Sequence, residues 1–224
     1  MIGAGWVAPP LAAHSDRLAR EIGVDCRLVR RDAVALTFDD GPHPGGTPAV
    51  LEALEQRGAR ATFFLVGEQV RKDPVVARAI ADAGHEIALH GDRHVLLLRR
   101  RVRDITADLD RASATIAEAI GIVPTLYRPP YGVFSRGALA HVRRRGLLPL
   151  LWSAWGRDWE RRASAVSISR RVTRRLAPGD VVLLHDSDAY SSPDSWRRTA
   201  AALPSILDAV AALGVAADSV TQST

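Results

Sequence analysis

The stretch AVALTFDDGP, residues 33–42, joins the two signals that decide the fold. Its first six residues, Ala33 to Phe38, form an apolar run of the length expected for a buried β-strand. Two carboxylates, Asp39 and Asp40, follow at once and lead into Gly41-Pro42, which is typical of a tight turn. The pattern predicts a buried strand whose end carries polar, functional side chains.

The same alternation of apolar strands and amphipathic helices continues along the chain. Further strands are predicted at about 61–66, 86–90, 125–128, 147–153 and 180–185, with a weak last strand after Gly214. Helices are predicted at about 47–58, where Thr47 would be the N-cap, at 73–84 and 102–120, and from about Ser135, Ala163 and Ser195. Because such alternation implies a parallel sheet with helical crossovers, we predict an α/β fold: a distorted (β/α)-barrel of about seven parallel strands with outer helices.

Composition is consistent with one large domain. The 224 residues are 47% apolar, and we expect a domain of residues 33–224 after a weakly patterned leader of residues 1–32.

The formal charge is +5, but the arginines are scattered in pairs and triplets, so no nucleic-acid partner is expected. Cys26 is the only cysteine, which excludes an intrachain disulfide. No apolar run reaches the ~18 residues of a membrane span, so no transmembrane segment is expected.

Five short polar motifs occur in order, each after the end of a predicted strand. They are Thr37-Phe38-Asp39-Asp40-Gly41-Pro42, His90-Gly91-Asp92-Arg93-His94, Arg128-Pro129-Pro130-Tyr131-Gly132, Gly156-Arg157-Asp158-Trp159 and Val182-Leu183-Leu184-His185-Asp186. The carboxyl ends of parallel strands are where α/β proteins bind ligands and do chemistry. We therefore expect the five motifs to meet in one site.

Two histidines and one carboxylate predict a metal site. His90 and His94 are four residues apart, so on a helical turn both imidazoles would face the same side. Asp40 would complete the set and leave positions open for water and a substrate oxygen, which suits one divalent ion such as zinc, or else cobalt or another first-row metal. The alternative is that His90 is a hydrogen-bonded core residue and His94 a surface residue.

Asp39 and Asp40 reinforce this prediction. Two adjacent carboxylates at a buried strand end raise each other's pKa unless a cation lies between or beside them. A metal ion on one and an arginine on the other would resolve the conflict. The alternative is a tight turn without chemistry.

From about Ala33 onward, the five ordered motifs resemble those of the polysaccharide deacetylase family, carbohydrate esterase family four, which shares the homology domain of chitooligosaccharide deacetylases. The resemblance implies that residues 33–224 are a catalytic domain. It implies a metal-dependent hydrolase that removes N-acetyl groups from a GlcNAc-containing polysaccharide or oligosaccharide, of the chitin-oligomer or peptidoglycan type. The resemblance also implies that Asp39 is the general base, kept ionised by Arg128, and that Asp40, His90 and His94 are the metal ligands. It implies that His185 is the general acid, oriented by Asp158. Tyr131 would donate its backbone N–H to the oxyanion, and Leu183 and Trp159 would bind substrate.

The chain departs from the family pattern in two places. Gly91 replaces the serine or threonine whose hydroxyl usually braces the loop between the two histidines, so Asp92 or backbone contacts must brace it here. Trp155 stands where the fourth motif usually begins with an acid. These departures bear on substrate preference more than on activity.

Several alternatives stay open at this point. The chain could be an O-acetyl esterase acting on xylan-like polymers, or a catalytically silent carbohydrate-binding protein. Arg128 could cap carbonyl groups, and His185 and Asp186 could form a strand-end pair. Trp152, Trp155 and Trp159 could be core residues or a sugar-stacking surface.

The expected surroundings follow from the substrate class. An N-acetylated glycan is the expected partner, and a monomer is the expected state. The polymer substrates of the family imply the cell envelope or the extracellular space. However, the apolar start, interrupted by Pro9-Pro10 and without a basic leader, is a poor signal peptide, so the cytoplasm is not excluded.

Overall fold

The computed structural model describes residue 19 and residues 21–221. The strands in this part of the chain are β1 (Ala33–Asp39), β2 (Thr62–Leu65), β3 (Glu86–Leu89), β4 (Leu126–Tyr127), β5 (Leu148–Pro149), β6 (Ala154–Trp155), β7 (Val181–His185) and β8 (Ala216–Asp218). The helices are α1 (Gly46–Glu55), α2 (Gly67–Lys72), α3 (Pro74–Asp82), α4 (Val102–Ile120), α5 (Arg136–Arg144), α6 (Ala165–Thr173) and α7 (Ser195–Ala212), with short 3₁₀ turns at Leu97–Arg99 and Pro130–Gly132.

The strands form one curled parallel sheet in the order β5-β4-β3-β2-β1-β7-β6. β8 lies off this path and pairs with the first residues of β1. The two end strands, β5 and β6, do not pair, so the sheet is a distorted barrel that is open on one side. Single bridges from Asp25 to Leu150 and from Arg27 to Asp180 cross this opening. The predicted fold is confirmed.

The central strand β1 is buried along its whole length. All seven of its residues are buried, as expected for a strand of a parallel sheet that is covered on both faces. Phe38 stacks on Phe63 of β2 with ring centroids 5.0 Å apart. Because β1 pairs with both β2 and β7, it fixes the position of the strand ends around Asp39.

Local sequence signals account for the helix ends. The predicted helix at 102–120 has the bounds of α4, which ends at Gly121 in the left-handed conformation, φ 75°. α3 begins after Asp73, whose side chain accepts a hydrogen bond from the backbone N–H of Val76. Ser135 caps α5 in the same way.

Three local predictions were wrong. Thr47 is not an N-cap, because α1 already begins at Gly46 and the Thr47 hydroxyl donates to the carboxylate of Asp186. α2 was not predicted, since a six-residue helix shows no apolar periodicity. Of the strand expected at 147–153, only β5 (Leu148–Pro149) forms, and the next strand, β6, begins after the expected end; between them, the carbonyl groups of Leu150 and Leu151 accept hydrogen bonds from Arg128.

The leader of residues 1–32 and the domain of residues 33–224 remain a prediction. Of the leader, the structure describes residue 19 and residues 21–32. Within it, Val24, Cys26 and Leu28 are buried in the same core as the sheet. Among the helices of the described residues, none is both long enough and apolar enough for a bilayer crossing.

Candidate active site and metal centre

All five motifs meet at the carboxyl edge of the sheet. Asp39 ends β1 and is paired in register with His185, which ends β7. The other motifs follow β3, β4 and β6 directly or within three residues. Together they surround a cavity of about 300 Å³, lined by Asp39, Asp40, His90, His94, Tyr131, Gly132, Trp152, Trp155, Trp159, Leu183, His185, Tyr190 and Ser191.

The two adjacent carboxylates point to different partners. Asp40 lies in the left-handed conformation, φ 78°, so the backbone turns sharply after Asp39. Asp39 Oδ1 accepts a hydrogen bond from Arg128 Nη1 at 2.7 Å. Asp40 Oδ1 instead lies 3.5 Å from His90 Nε2 and 3.4 Å from His94 Nε2. The two neighbouring carboxylates are thus separated: Asp39 pairs with an arginine, and Asp40 lies beside two histidines.

Arg128 is fully buried and has every side of its guanidinium engaged. Besides Asp39, it donates to the hydroxyl of Thr37 at 2.8 Å and to the carbonyl of Leu151 at 2.9 Å. Its guanidinium carbon lies 4.0 Å from the centroid of the Phe64 ring. Capping of carbonyl groups and pairing with Asp39 are therefore not alternatives, because Arg128 does both. Burial raises the pKa of Asp39, and the charge and hydrogen bond of Arg128 offset part of that rise.

Asp40, His90 and His94 meet the requirements of a metal centre. One potential ligand atom from each lies within 4.8 Å of the others. Asp40 Oδ1 and His94 Nδ1 are buried without a hydrogen-bond partner among the described residues. Burial has the largest effect on the pKa of Asp40 and raises it. The charge of His185 lowers this pKa and the charge of Asp39 raises it, and the resulting pKa is about 7. A buried carboxylate oxygen without a donor, beside two imidazoles, fits a cation.

The two histidines have the protonation state that a metal ligand needs. His90 Nδ1 lies 2.8 Å from the carbonyl oxygen of Arg128, so it carries the proton and leaves Nε2 free toward Asp40. Burial, followed by the charge of Arg128, lowers the pKa of His90 to about 3. Burial and the neighbouring His90 lower the pKa of His94 to about 3 as well. Both imidazoles are neutral at physiological pH.

The spacing argument for His90 and His94 was wrong in its geometry. They lie in an irregular loop, not on a helical turn, and Gly91 between them has φ 101°. The backbone N–H of Asp92 donates to Asp108 Oδ2 at 2.8 Å. The Asp92 carboxylate accepts from Arg71 at 2.6 Å. The expectation that Asp92 or the backbone braces this loop is confirmed.

The start of α2 adds a second brace to the same loop. The backbone N–H groups of Gly67 and Glu68 donate to the carbonyl oxygens of Gly91 and Asp92, both at 2.9 Å. The first N–H groups of a helix have no partner within the helix, so the loop satisfies them. The histidine loop therefore caps the start of the short helix α2.

His94 is held between two tyrosines that sequence reasoning missed as a pair. The ring of Tyr190 stacks on His94 with centroids 4.4 Å apart and an interplanar angle of 13°. Tyr131 covers another side at 4.5 Å. The Tyr190 hydroxyl donates to Glu68 and accepts from Gln69 Nε2 at 2.8 Å. The only sequence signal for Tyr190 was an aromatic residue in the polar loop after His185.

His185 and Asp158 form a second buried pair on the opposite side of the cavity. Asp158 Oδ1 lies 3.0 Å from His185 Nδ1, and Oδ2 accepts the backbone N–H of His185 at 2.7 Å. Burial would lower the pKa of His185, but the charge and hydrogen bond of Asp158 outweigh it and raise the pKa to about 10. Burial would likewise raise the pKa of Asp158, yet His185 and the hydroxyl of Thr199 keep it below its usual range. His185 is therefore a buried imidazolium at neutral pH.

Asp186 does not pair with His185. Its carboxylate accepts the hydroxyl of Thr47, and burial raises the pKa of Asp186 to about 7. The alternative of a strand-end His185–Asp186 pair is thereby replaced by the His185–Asp158 pair.

An apolar wall closes the rest of the cavity. Trp152, Trp155 and Trp159 form a chain of ring contacts with centroid distances of 5.8 and 5.6 Å. The edge of Trp159 meets the ring of His185 at 5.4 Å. Leu183 lines the same wall. The three tryptophans pack against the core and also line the cavity, and a sugar-stacking role for them stays a prediction.

The remaining histidines have structural roles. His43 Nδ1 accepts the backbone N–H groups of Gly45 and Gly46 at the start of α1. His85 Nδ1 accepts the N–H of Ala61 at 3.3 Å. His141 lies 3.4 Å from the hydroxyl of Thr106. His14 lies outside the described residues.

Comparison with known sequences gives a consistent family. The profile described as polysaccharide deacetylase matches residues 28–149, more than half of the 224 residues. A chitooligosaccharide deacetylase of Azorhizobium caulinodans is 32% identical over 203 residues, which cover 87% of this chain and 96% of that protein. A chitooligosaccharide deacetylase of Bradyrhizobium sp. is 38% identical over 155 residues, 69% of this chain and 70% of that protein.

A similar solved structure agrees with the fold. The crystal structure of a peptidoglycan N-acetylglucosamine deacetylase superposes with a TM-score of 0.83 at 27% identity. The match covers 90% of this chain and 92% of that one. The curled parallel sheet is therefore shared along nearly the whole described length.

The stacking of Tyr190 on His94 predicts a measurable effect on metal affinity. Tyr190→Ala removes a packing partner of His94 and the link to α2, and we expect zinc to bind about tenfold more weakly, within the range for residues that support metal ligands. Tyr190→Phe keeps the stacked ring and should lose less. Dissociation constants from competition with a chromophoric chelator test this. Equal affinities in the three proteins would show that Tyr190 does not position His94.

Proposed function

The chain belongs to the polysaccharide deacetylase family, and on that basis we propose that it is a metal-dependent hydrolase of N-acetyl groups. Its substrate is a GlcNAc-containing polysaccharide or oligosaccharide of the chitin-oligomer or peptidoglycan type, as the names of its relatives indicate for those proteins. The observation that carries the proposal is the separation of two buried pairs in one cavity. Asp39 with Arg128 is suited to accept a proton, and His185 with Asp158 is suited to donate one.

The metal ligands in this proposal are Asp40, His90 and His94, and the ion is zinc. Two neutral imidazoles and one carboxylate suit zinc and other first-row divalent ions. When bound, such an ion supplies Lewis acidity toward an amide carbonyl and toward water. The Asp40 oxygen that lacks a donor supports this assignment.

Asp39 acts as the general base. It is nearly fully buried, and burial raises its pKa toward the range in which a base is effective near neutral pH. Arg128 holds one of its oxygens and leaves the other for a water molecule. The second oxygen, Oδ2, lies 3.8 Å from His90 Nε2 and therefore faces the cluster of metal ligands.

His185 acts as the general acid. An amine is too basic to leave an amide as an anion, so the nitrogen must be protonated as the bond breaks. His185 is an imidazolium held by Asp158, and its Nε2 lies 3.9 Å from Asp40 Oδ2 at the cavity. It therefore carries the proton where the departing nitrogen would lie.

The rest of the cavity binds the acetyl group. The backbone N–H of Tyr131 is the proposed oxyanion donor, on a residue in the left-handed conformation with φ 62° at the cavity rim. Leu183 and Trp159 form the apolar surface for the methyl group. Because this surface also borders His185, the acid and the methyl site are close together.

The two alternative functions are less well supported. An O-acetyl esterase could use the same groups, but an alkoxide leaving group needs less proton donation than an amine, and His185 is strongly biased toward the protonated form. The departures from the family pattern at Gly91 and Trp155 do not favour a silent carbohydrate-binding protein. Gly91 lies in a loop that Asp92 and Asp108 brace, and Trp155 lies in the apolar wall outside both proton-transfer pairs.

The surroundings of the protein follow from this substrate class. An N-acetylated glycan is the partner, and the cell envelope or the extracellular space is where such polymers occur. A monomer remains our prediction for the oligomeric state, as does the lack of a nucleic-acid partner.

The direct test is acetate release from N-acetylglucosamine oligomers and from peptidoglycan. Protein stripped with a chelator should be inactive, and activity should return in proportion to added zinc up to one equivalent. Asp39→Asn is the matched control, since it should bind zinc and release no acetate. Release from O-acetylated xylan without release from any N-acetylated glycan would replace the proposal with the esterase alternative.

The contact between Arg128 and Asp39 predicts how mutation of Arg128 shifts the acid limb of the pH–rate profile. Activity falls as pH drops through the pKa of Asp39, because the base becomes protonated. Arg128 lowers that pKa, so Arg128→Ala should move the acid limb to higher pH and reduce kcat. The loss of a fully buried partner costs about 3–5 kcal/mol, so Arg128→Lys, which keeps the charge, serves as the stable variant with a smaller shift. An acid limb that is the same in all three proteins would remove Arg128 from this role.

The contact between Asp158 and His185 predicts how mutation of Asp158 shifts the alkaline limb of the pH–rate profile. Activity falls as pH rises through the pKa of His185, which is about 10 with Asp158 present. Asp158→Asn removes the negative charge, so the alkaline limb should move to lower pH by about 1–3 units. Thr199→Val leaves the charge of Asp158 in place and removes the hydroxyl that donates to Asp158 and to the carbonyl of Ser195, so it should shift the limb less. An alkaline limb that does not respond to Asp158→Asn would show that His185 is not the acid.

A further inference from the structure

A strongly basic segment of the chain lies beside the active site. Residues 157–175 hold seven arginines and two carboxylates, so their formal charge of +5 equals that of the whole chain. One of the two carboxylates, Asp158, is buried and bound to His185. The exposed surface of this segment is therefore strongly basic.

Four of these arginines line one groove. Arg157, Arg170, Arg171 and Arg174 surround a space of about 570 Å³ together with Trp155. Arg170 and Arg174 are four residues apart at the C-terminal end of α6, so they lie on the same side of that helix. All four arginines are exposed to solvent. The groove is thus wide enough for a sugar ring and is walled by guanidinium groups.

Most of this charge has no ion-pair partner among the residues that the structure describes. Glu160 pairs with Arg157 at 3.1 Å and with Arg171 at 3.0 Å. Arg170 and Arg174 form no ion pair with any residue of the described chain. The C-terminal end of a helix stabilises nearby cations such as these two arginines. It does not use up their N–H donors, which remain free to bind an anion.

Trp155 connects the groove to the catalytic cavity. Its side chain lines both spaces, and the guanidinium carbon of Arg157 lies 5.5 Å from the centroid of its ring. A chain of sugars with one residue in the cavity would therefore reach the groove past Trp155. This tryptophan stands at the position where the family pattern usually has an acid, so the exchange also removes a negative charge from the path.

We propose that this groove is a subsite for an anionic substituent, a carboxylate or a phosphate, on a sugar next to the one that is deacetylated. The proposal rests on the proposed function, since it takes the ligand to be a glycan. Guanidinium groups bind carboxylates and phosphates through paired hydrogen bonds, and an indole ring offers an apolar face to a pyranose. The opening into a cavity with two proton-transfer pairs favours a glycan substrate over a nucleic acid.

The test compares substrates of equal length that differ in one substituent and in its charge. They are a neutral N-acetylglucosamine oligomer, an oligomer of equal length in which one sugar carries a lactyl carboxylate, the methyl ester of that oligomer, and an oligomer with one phosphate. The double variant Arg170→Gln/Arg174→Gln should raise KM for the carboxylated or the phosphorylated oligomer about tenfold. Its kcat, and its KM for the two neutral oligomers, should not change. Which anionic oligomer responds identifies the substituent.

The matched control is Arg103→Gln/Arg144→Gln, which removes the same charge from exposed residues of α4 and α5. α4 packs against α2, α3 and α5, whereas α6 packs against α7 and β6. The control should leave every KM unchanged. Equal KM changes on charged and neutral oligomers, or equal effects of the two double variants, would overturn the proposal.

Failure of the proposed function can be separated from failure of the subsite. If the native protein releases no acetate, dissociation constants for the carboxylated oligomer and its methyl ester, from tryptophan fluorescence, still test the groove. A preference for the carboxylate that the Arg170→Gln/Arg174→Gln protein loses supports the subsite, and no preference in the native protein overturns it. Loss of affinity for a short single-stranded RNA, with unchanged glycan binding, would assign the groove to nucleic acid instead.

Discussion

The structure around the active site depends on how buried negative charges are kept apart. Four carboxylates, those of Asp39, Asp40, Asp158 and Asp186, lie within a few residues of the strand ends and are almost inaccessible to water. Buried carboxylates repel each other and become protonated unless each has its own donor or cation. Three of the four have a hydrogen-bond donor: Arg128 donates to Asp39, His185 to Asp158, and the Thr47 hydroxyl to Asp186. The fourth, Asp40, accepts no hydrogen bond at Oδ1 from the described residues. Oδ1 of Asp186 also lacks a donor there, but Asp40 differs in having two neutral imidazoles beside it.

Sequence reasoning located the site well because the site depends on strand order. In a parallel sheet every strand ends at the same edge, so motifs that follow strands must converge even when they are far apart in sequence. This placed Asp39, His90, Arg128, Asp158 and His185 together without any knowledge of the loops. The residue types then limited the chemistry, since a carboxylate beside an arginine and a histidine beside a carboxylate have different proton affinities. The roles of these residues stay predictions until the pH profiles are measured.

What sequence reasoning could not provide was the set of tertiary hydrogen bonds that override local signals. Thr47 has the side chain of an N-cap, but its hydroxyl is used by Asp186, a residue 139 positions away. The carbonyl groups of Leu150 and Leu151 turn to Arg128, so a continuous apolar run becomes two short strands. Tyr190 shows no pattern at all, because its stacking on His94 joins two loops of irregular conformation. In each case the deciding partner is distant in sequence and polar, which periodicity does not reveal.

The position of β1 at the centre of the sheet has a consequence for biosynthesis. One of its edges pairs with β2, which follows soon after, whereas the other pairs with β7, more than 140 residues later. Because the N-terminal part of the chain leaves the ribosome first, β1, a mostly apolar strand, has one open edge during most of the synthesis. Long-range parallel pairing of this kind forms slowly, and unpaired apolar edges are prone to aggregate. The strand that carries Asp39, the proposed general base, is thus also a segment that needs protection from aggregation until β7 has been made.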